Sequence, residues 1–155
     1  MKNEIFSRST RECYFDQLNP DLAKAFKDRF LQDEFPGIES KIITCFETES
    51  MRKKLFSTRT EYSGVILTPD VLVWGMSGIK RNPFAAMAQI KEISEIRDYE
   101  KTESCKIMQD TGLELFGFIY LFSKRSTWFI GLGADQSGER CRHLLRELHN
   151  KVNKP

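Results

Sequence analysis

The residues predict an α+β fold: a mostly antiparallel β sandwich or open barrel of about seven strands, capped by a C-terminal amphipathic helix and preceded by an extra N-terminal helix. Three observations carry this. Asn19-Pro20-Asp21 is a helix start, with an N-cap side chain, a proline at the first helical position and an acid in the first turn. Several β-rich runs then follow one another through turn residues, too closely spaced for the crossovers that parallel strands need. Finally, Trp128-Phe129-Ile130-Gly131-Leu132-Gly133 passes through Ala134-Asp135 into a helix. Its Cys141, Leu144, Leu145, Leu148 and Val152 recur at i, i+3, i+4, i+7 and i+11, one apolar stripe.

Taken in order, residues 1–16 are polar and without a sustained period, so a loosely packed arm is expected. Leu22, Phe26 and Phe30 place the first helix to about residue 33, where Phe35-Pro36-Gly37 ends it. Residues 42–46 read as a strand, although Ile38, Ile42 and Phe46 also suit a helix face. A long loop is expected over 49–56. Residues 62–67 and 71–74 form a hairpin across Thr68-Pro69-Asp70. After a connection over 75–83, residues 87–99 carry mixed periods and are assigned to a strand with a bend. Residues 104–108 and 113–122 are assigned to a second hairpin across 109–112, and Ser123-Lys124-Arg125-Ser126 turns into the last strand. On the terminal helix, Arg140, Arg142, Glu147 and Lys151 fall opposite the stripe and are expected to be wet. The division that follows is an arm and helix over 1–37 and a single compact unit over 38–155.

A chain of 155 residues buries roughly 70% of its unfolded surface without disulfide or metal staples. Its 24 basic and 22 acidic residues nearly cancel, which disfavours duplex nucleic acid as a partner. The four cysteines, Cys13, Cys45, Cys105 and Cys141, contain no Cys-x-x-Cys pair, and the two histidines, His143 and His149, lie six apart, about 120° around a helix. No metal and no cofactor is therefore expected, and the thiols are expected to be reduced in a cytoplasmic protein. The first residues lack a signal-peptide core, and no run approaches the about 20 apolar residues of a spanning helix.

The run Gly64-Val65-Ile66-Leu67-Thr68-Pro69-Asp70-Val71-Leu72-Val73-Trp74 resembles the strand-turn-strand texture of bacterial pleckstrin-homology-like domains. The strand over 88–96 and the strand-to-helix passage over 129–152 share the resemblance, which covers roughly residues 38–152. It implies a binding or scaffolding module without catalytic machinery. Members hold phosphoinositide headgroups, peptides or partner proteins, and headgroup binders use cations between their first two strands. Here that segment holds Arg52, Lys53 and Lys54, with Arg59 close by and Met51, Leu55 and Phe56 interleaved; Ser57 stands where the headgroup pattern places a base.

Arg52, Lys53, Lys54 and Arg59 are thus the candidate ligand- or lipid-binding residues. Three adjacent cations contribute about 1 kcal/mol each at an anionic membrane, and the same charges also serve to solvate a loop, with Glu47 and Glu49 nearby. The expected partner is an unidentified protein or an anionic lipid surface, with self-association an alternative if the aromatic run over 115–122 is not covered on both faces. A different class of function, a small-ligand barrel or enzyme, would use a pocket lined by Trp74, Phe116, Phe118 and Trp128. Nucleic-acid binding would need Lys80, Arg81, Lys124 and Arg125 to share a face with the loop cations. Gly131-x-Gly133 lacks the remaining residues of a phosphate loop. The acids Glu92, Glu95, Asp98 and Glu100 have no recognisable catalytic partner in sequence.

Overall fold

A computed structural model describes residues 5–32, 37–78, 81–121 and 123–154. It contains two antiparallel sheets. The larger holds β1 (Ile5–Cys13), β2 (Thr44–Lys54), β3 (Ser57–Leu67), β4 (Val71–Gly78) and β5 (Arg81–Gln89), in that spatial order. The smaller holds β6 (Ile93–Asp98), β7 (Gly112–Ile119) and β8 (Lys124–Gly131). Three α-helices complete the described residues: α1 (Pro20–Gln32), α2 (Ser104–Ile107) and α3 (Gln136–Val152).

Alternation along the strands divides the apolar residues of the large sheet between two cores. Cys45, Ile66, Val71, Val73, Ala85 and Met87 face Leu22, Ala25 and Phe26 of α1. Phe46, Val65, Leu67, Leu72, Trp74, Ala86 and Ala88 face the other way, onto Leu113, Leu115 and Ile119 of β7 and Cys141 and Leu145 of α3. Helix α1 starts as its residues dictate, because the Asn19 side chain accepts from the backbone of Asp21 at 3.1 Å and Leu22 at 3.3 Å. At the turn between β3 and β4, Thr68 Oγ1 accepts from the backbone N–H of Val71 at 2.8 Å.

Several expectations are corrected. Residues 5–13 are not a loose arm but strand β1, paired with β2 from Ile5 opposite Lys53 to Cys13 opposite Cys45. The loop expected over 49–56 is mostly strand, since β2 runs to Lys54 and turns through two residues into β3. The connection expected over 75–83 is shortened by β4 and β5 at both ends. Residues 104–107 are helix rather than strand, so β7 pairs with β6 and β8 instead. The bend expected within 87–99 is a single turn of 3-10 helix at Ile90–Glu92, where the chain leaves one sheet for the other. Strand β7 is apolar on both faces but covered on one: Leu113, Leu115 and Ile119 are buried, whereas Phe116 is exposed under the Arg125 guanidinium. Phe35 and Pro36 of the expected helix stop lie outside the described residues.

The wet face assigned to α3 is also wrong at one position. Arg142 is 3% exposed and reaches Glu139 at 2.8 Å, Glu100 at 2.9 Å and the Gly133 carbonyl at 3.2 Å, while Asp98 lies 3.7 Å from its Nε. Asp98 in turn accepts from Arg146 at 2.8 Å. This buried cation ties α3 to the segment between β6 and β7. On the other side, Arg140 pairs with Glu12 of β1.

Candidate functional site

Two places collect side chains that the fold itself does not account for. The first is the tip of the β2–β3 hairpin. Lys54 faces Ser57, Lys53 faces Thr58 and Arg52 faces Arg59, which leaves Leu55 and Phe56 as the two turn residues. Primed two-residue turns favour Asn-Gly because their central residues take positive φ, but neither Leu55 nor Phe56 does so here. Turn geometry therefore does not explain the pair. Both are solvent-exposed, Leu55 at 72% and Phe56 at 94%, and Lys53 and Lys54 beside them are exposed too. Among the described residues, 57–60 pair with β2 alone, because β4 begins its contact with β3 at Glu61 opposite Gly78, so the tip overhangs the sheet.

Strand alternation puts Arg52, Lys54 and Arg59 on one face of the tip and Lys53 on the other. Like charges directly opposite on an antiparallel pair are locally unfavourable, and Arg52 and Arg59 are such a pair. All four predicted cations thus come together at one end of the molecule. The acids expected to cancel them are placed elsewhere. Glu47 is buried, its two oxygens taken by Arg11 at 2.9 Å and the Asn19 backbone at 2.5 Å. Glu49 is five residues from Lys54, roughly 17 Å of strand and about twice the Debye length at physiological salt, and three residues from Arg52, whose side chain instead lines a cleft with Glu61.

The second place is a cleft of about 340 Å3 at the base of that hairpin, between the inner face of the large sheet and β8. Trp74 and Trp128 meet in it, ring centroids 6.1 Å apart and planes at 49°. Phe116 and Phe118, expected in the same pocket, are on the outer face of β7, where Phe118 packs edge-on against Tyr120 at 5.0 Å. In their stead the cleft has polar walls: Arg52, already a candidate from the sequence, and Arg8, Glu61, Ser63 and Asp110, which sequence reasoning did not find. Arg8 lies in β1, the strand read as an arm, and that is why it was missed. Its guanidinium holds Asp110 bidentately at 2.8 and 3.0 Å, donates to Ser50 at 2.6 Å and sits 5.6 Å from the centre of the Phe129 ring.

The remaining candidates are accounted for locally. Gly133 donates to Thr10 Oγ1, and Asp135 caps α3 by accepting from Gly138 at 2.9 Å, so the helix start after Gly131 and Gly133 is occupied by the chain's own carboxylate. His143 pairs with Glu147, while His149 is half-buried, with its Nε2 2.7 Å from the Ile93 carbonyl oxygen. Glu92 accepts from the Tyr120 hydroxyl, and Glu95 pairs with Arg97. Among the described residues, no group of three or more His, Cys, Asp or Glu is placed to hold a metal ion, and no helix is long and apolar enough to cross a membrane. Lys80 and the side chain of Arg81, two of the cations a nucleic-acid face would need, lie outside the described residues.

Cys13 and Cys45 face each other across β1 and β2, but neither is activated. Burial raises the Cys13 thiol and pushes Cys45 up to about 12; it does the same to Cys141, also to about 12. At neutral pH, iodoacetamide is expected to leave Cys45 and Cys141 unmodified in the folded protein and to alkylate both once denaturant is added. Peptide mass mapping reads this directly, and rapid native labelling of either would mean that its core opens.

No family model, curated protein or solved structure matches the chain.

Proposed function

We propose that the protein is a noncatalytic recruitment module of pleckstrin-homology-like fold that docks on anionic membrane surfaces, peripherally and from the cytoplasmic side, through the tip of the β2–β3 hairpin. The observation that carries this is the exposed Leu55-Phe56 pair, flanked by Lys53 and Lys54, at the overhanging end of a hairpin. Exposed apolar residues between cations match the chemistry of a bilayer interface, where lysines meet lipid phosphates and apolar side chains enter the acyl boundary. The fold reading is supported by the element order. Without β1 and α1, the chain is four antiparallel strands, three more, and a C-terminal helix, and the tip is then the connection between the first two strands.

The energies fit a reversible contact. Lys53 and Lys54 together contribute about 2 kcal/mol near an anionic surface. Full burial of Leu55 or Phe56 would add about 1.5–3 kcal/mol each, and partial immersion less. The test is sedimentation with vesicles of phosphatidylcholine alone or mixed with phosphatidylserine, at low and physiological salt. Binding is expected only with phosphatidylserine and is expected to weaken as salt rises. Phe56→Ser should weaken it roughly ten- to a hundred-fold, and K53E/K54E should remove it. Both variants alter exposed residues, so the fold should stand, as circular dichroism would show. Equal binding to neutral vesicles, or no binding at all, would overturn the reading.

A further inference from the structure

The cleft at the base of the hairpin is a separate site, facing inward where the tip faces out. We infer that it binds a small, flat, net-uncharged aromatic molecule carrying a hydrogen-bond acceptor. Its volume of about 340 Å3 lies within the range of roughly 300–1,000 Å3 typical of small-molecule sites. Three features of its wall define the ligand.

Trp74 supplies the first. It is 2% exposed, and its indole Nε1–H is buried with no hydrogen-bond partner. A buried donor without an acceptor is costly in an interior where nearly all such groups are satisfied, and a ligand oxygen or nitrogen in the cleft would relieve that cost. The second feature is shape. The Trp74 and Trp128 rings, with Phe129 stacked against the Arg8 guanidinium, present flat π surfaces that favour a planar guest in offset or edge contact. The third is charge. Arg8 and Arg52 are balanced in the lining by Glu61 and Asp110, and Arg8 and Asp110 are already closed on each other as a bidentate pair. A ligand bringing net charge into such a neutral lining would be desolvated without a matching counter-ion, whereas a neutral one would not.

The chain has two tryptophans and both line this cleft, so their two indole N–H resonances report on it. The experiment titrates the 15N-labelled protein with benzamide, benzoate and benzamidinium, three molecules of one shape and three charges. Benzamide is expected to move the Trp74 indole resonance downfield and saturably. Benzoate should bind at least about tenfold more weakly, and benzamidinium, which has no acceptor, should leave that resonance in place. The Trp74→Phe variant assigns the signal and should lose benzamide binding as seen from Trp128. Met76→Phe, at a half-buried lining position on the same face of β4 as Trp74, adds bulk inside the cleft and should abolish the shift. Failure of all three molecules to shift either indole saturably, tighter binding of benzoate than of benzamide, or an unchanged response in Met76→Phe would overturn the inference.

Discussion

Replacing Arg142 with alanine is expected to remove about 3–5 kcal/mol of stability, a large part of the 5–15 kcal/mol that holds a domain of this kind together. The reason is what it leaves behind. Glu100, 35% exposed at its side chain, would keep its charge after losing its guanidinium, and Asp98, 17% exposed, would be left with Arg146 and Lys101 alone. Glu139, which faces solvent, would lose little. The melting temperature should fall by on the order of 10 °C. Arg142→Met should be nearly as damaging because the carboxylates remain, and adding Glu100→Gln to it should recover part of the loss. A drop of a degree or two in either single variant would show that water already serves these acids.

The same cluster sets an acid limit. Burial alone would raise the Asp98 carboxyl, but Arg146, Lys101 and Arg142 outweigh it and hold the group below the ordinary carboxylate value. A carboxylate whose folded pKa is depressed stabilises the fold above its unfolded pKa of about 3.9, and that contribution is lost as pH falls through the folded value. Native stability should therefore weaken as the pH drops below about 4. The Arg142→Ala variant should have a shallower acid limb, having already lost one of the charges that hold Asp98 ionised.

Phe26→Ala is expected to cost a similar amount, about 3–5 kcal/mol, by a different route. Phe26 is fully buried, and its ring fills a notch in the large sheet made by Gly64 and Gly75, which face each other across β3 and β4. A Cβ on Gly64 would come within 3.0 Å of the Phe26 ring and 2.9 Å of Leu22, and one on Gly75 within 3.2 Å of the same ring. Gly64→Ala alone should therefore overpack the site, at about 1–3 kcal/mol. In the double variant the added methyl enters the space the ring has vacated. Chemical denaturation of the four proteins should then show the double variant destabilised by less than the sum of the two singles. Strict additivity would mean that the ring and the notch do not share their space.

Helices α1 and α3 and the central hairpin were legible because their signals are local. Asn19 and Pro20 start α1, Thr68-Pro69-Asp70 turns β3 into β4, and the stripe through Cys141 and Leu145 is the buried face of α3. What was not legible depends on residues far away in the chain. Strand β1 carries Arg8, Thr10 and Glu12 along one face, so it shows no apolar alternation; they are satisfied by Asp110, Thr48 and Arg140 instead. The outer half of β2 is polar for the same reason, with Thr48 and Ser50 bonded to that strand. Arg142 looked like a surface residue because its three acids lie on other segments or one turn away. At the candidate site, the cations and the two tryptophans could be named from sequence. The projection of Leu55 and Phe56 at a turn, and the closure of Arg8 on Asp110, required the pairing register.

One contact bears on when this protein becomes a protein. Thr10 donates its backbone N–H to Asp135 at 2.8 Å, and its hydroxyl accepts from Gly133 at 2.8 Å, joining residues 125 and 123 positions apart. The second strand thus has its edge covered by a segment made before it, and that segment is anchored on its other side by one made last. On a ribosome, where synthesis proceeds at about 5–20 residues per second, the seam cannot close until α3 has emerged, many seconds after β1. Contacts of such long range also slow closure in the free chain. The polar character of β1 acquires a second use in that interval: a waiting strand of Arg8, Thr10 and Glu12 stays hydrated, where an apolar one would have sought the nearest exposed edge.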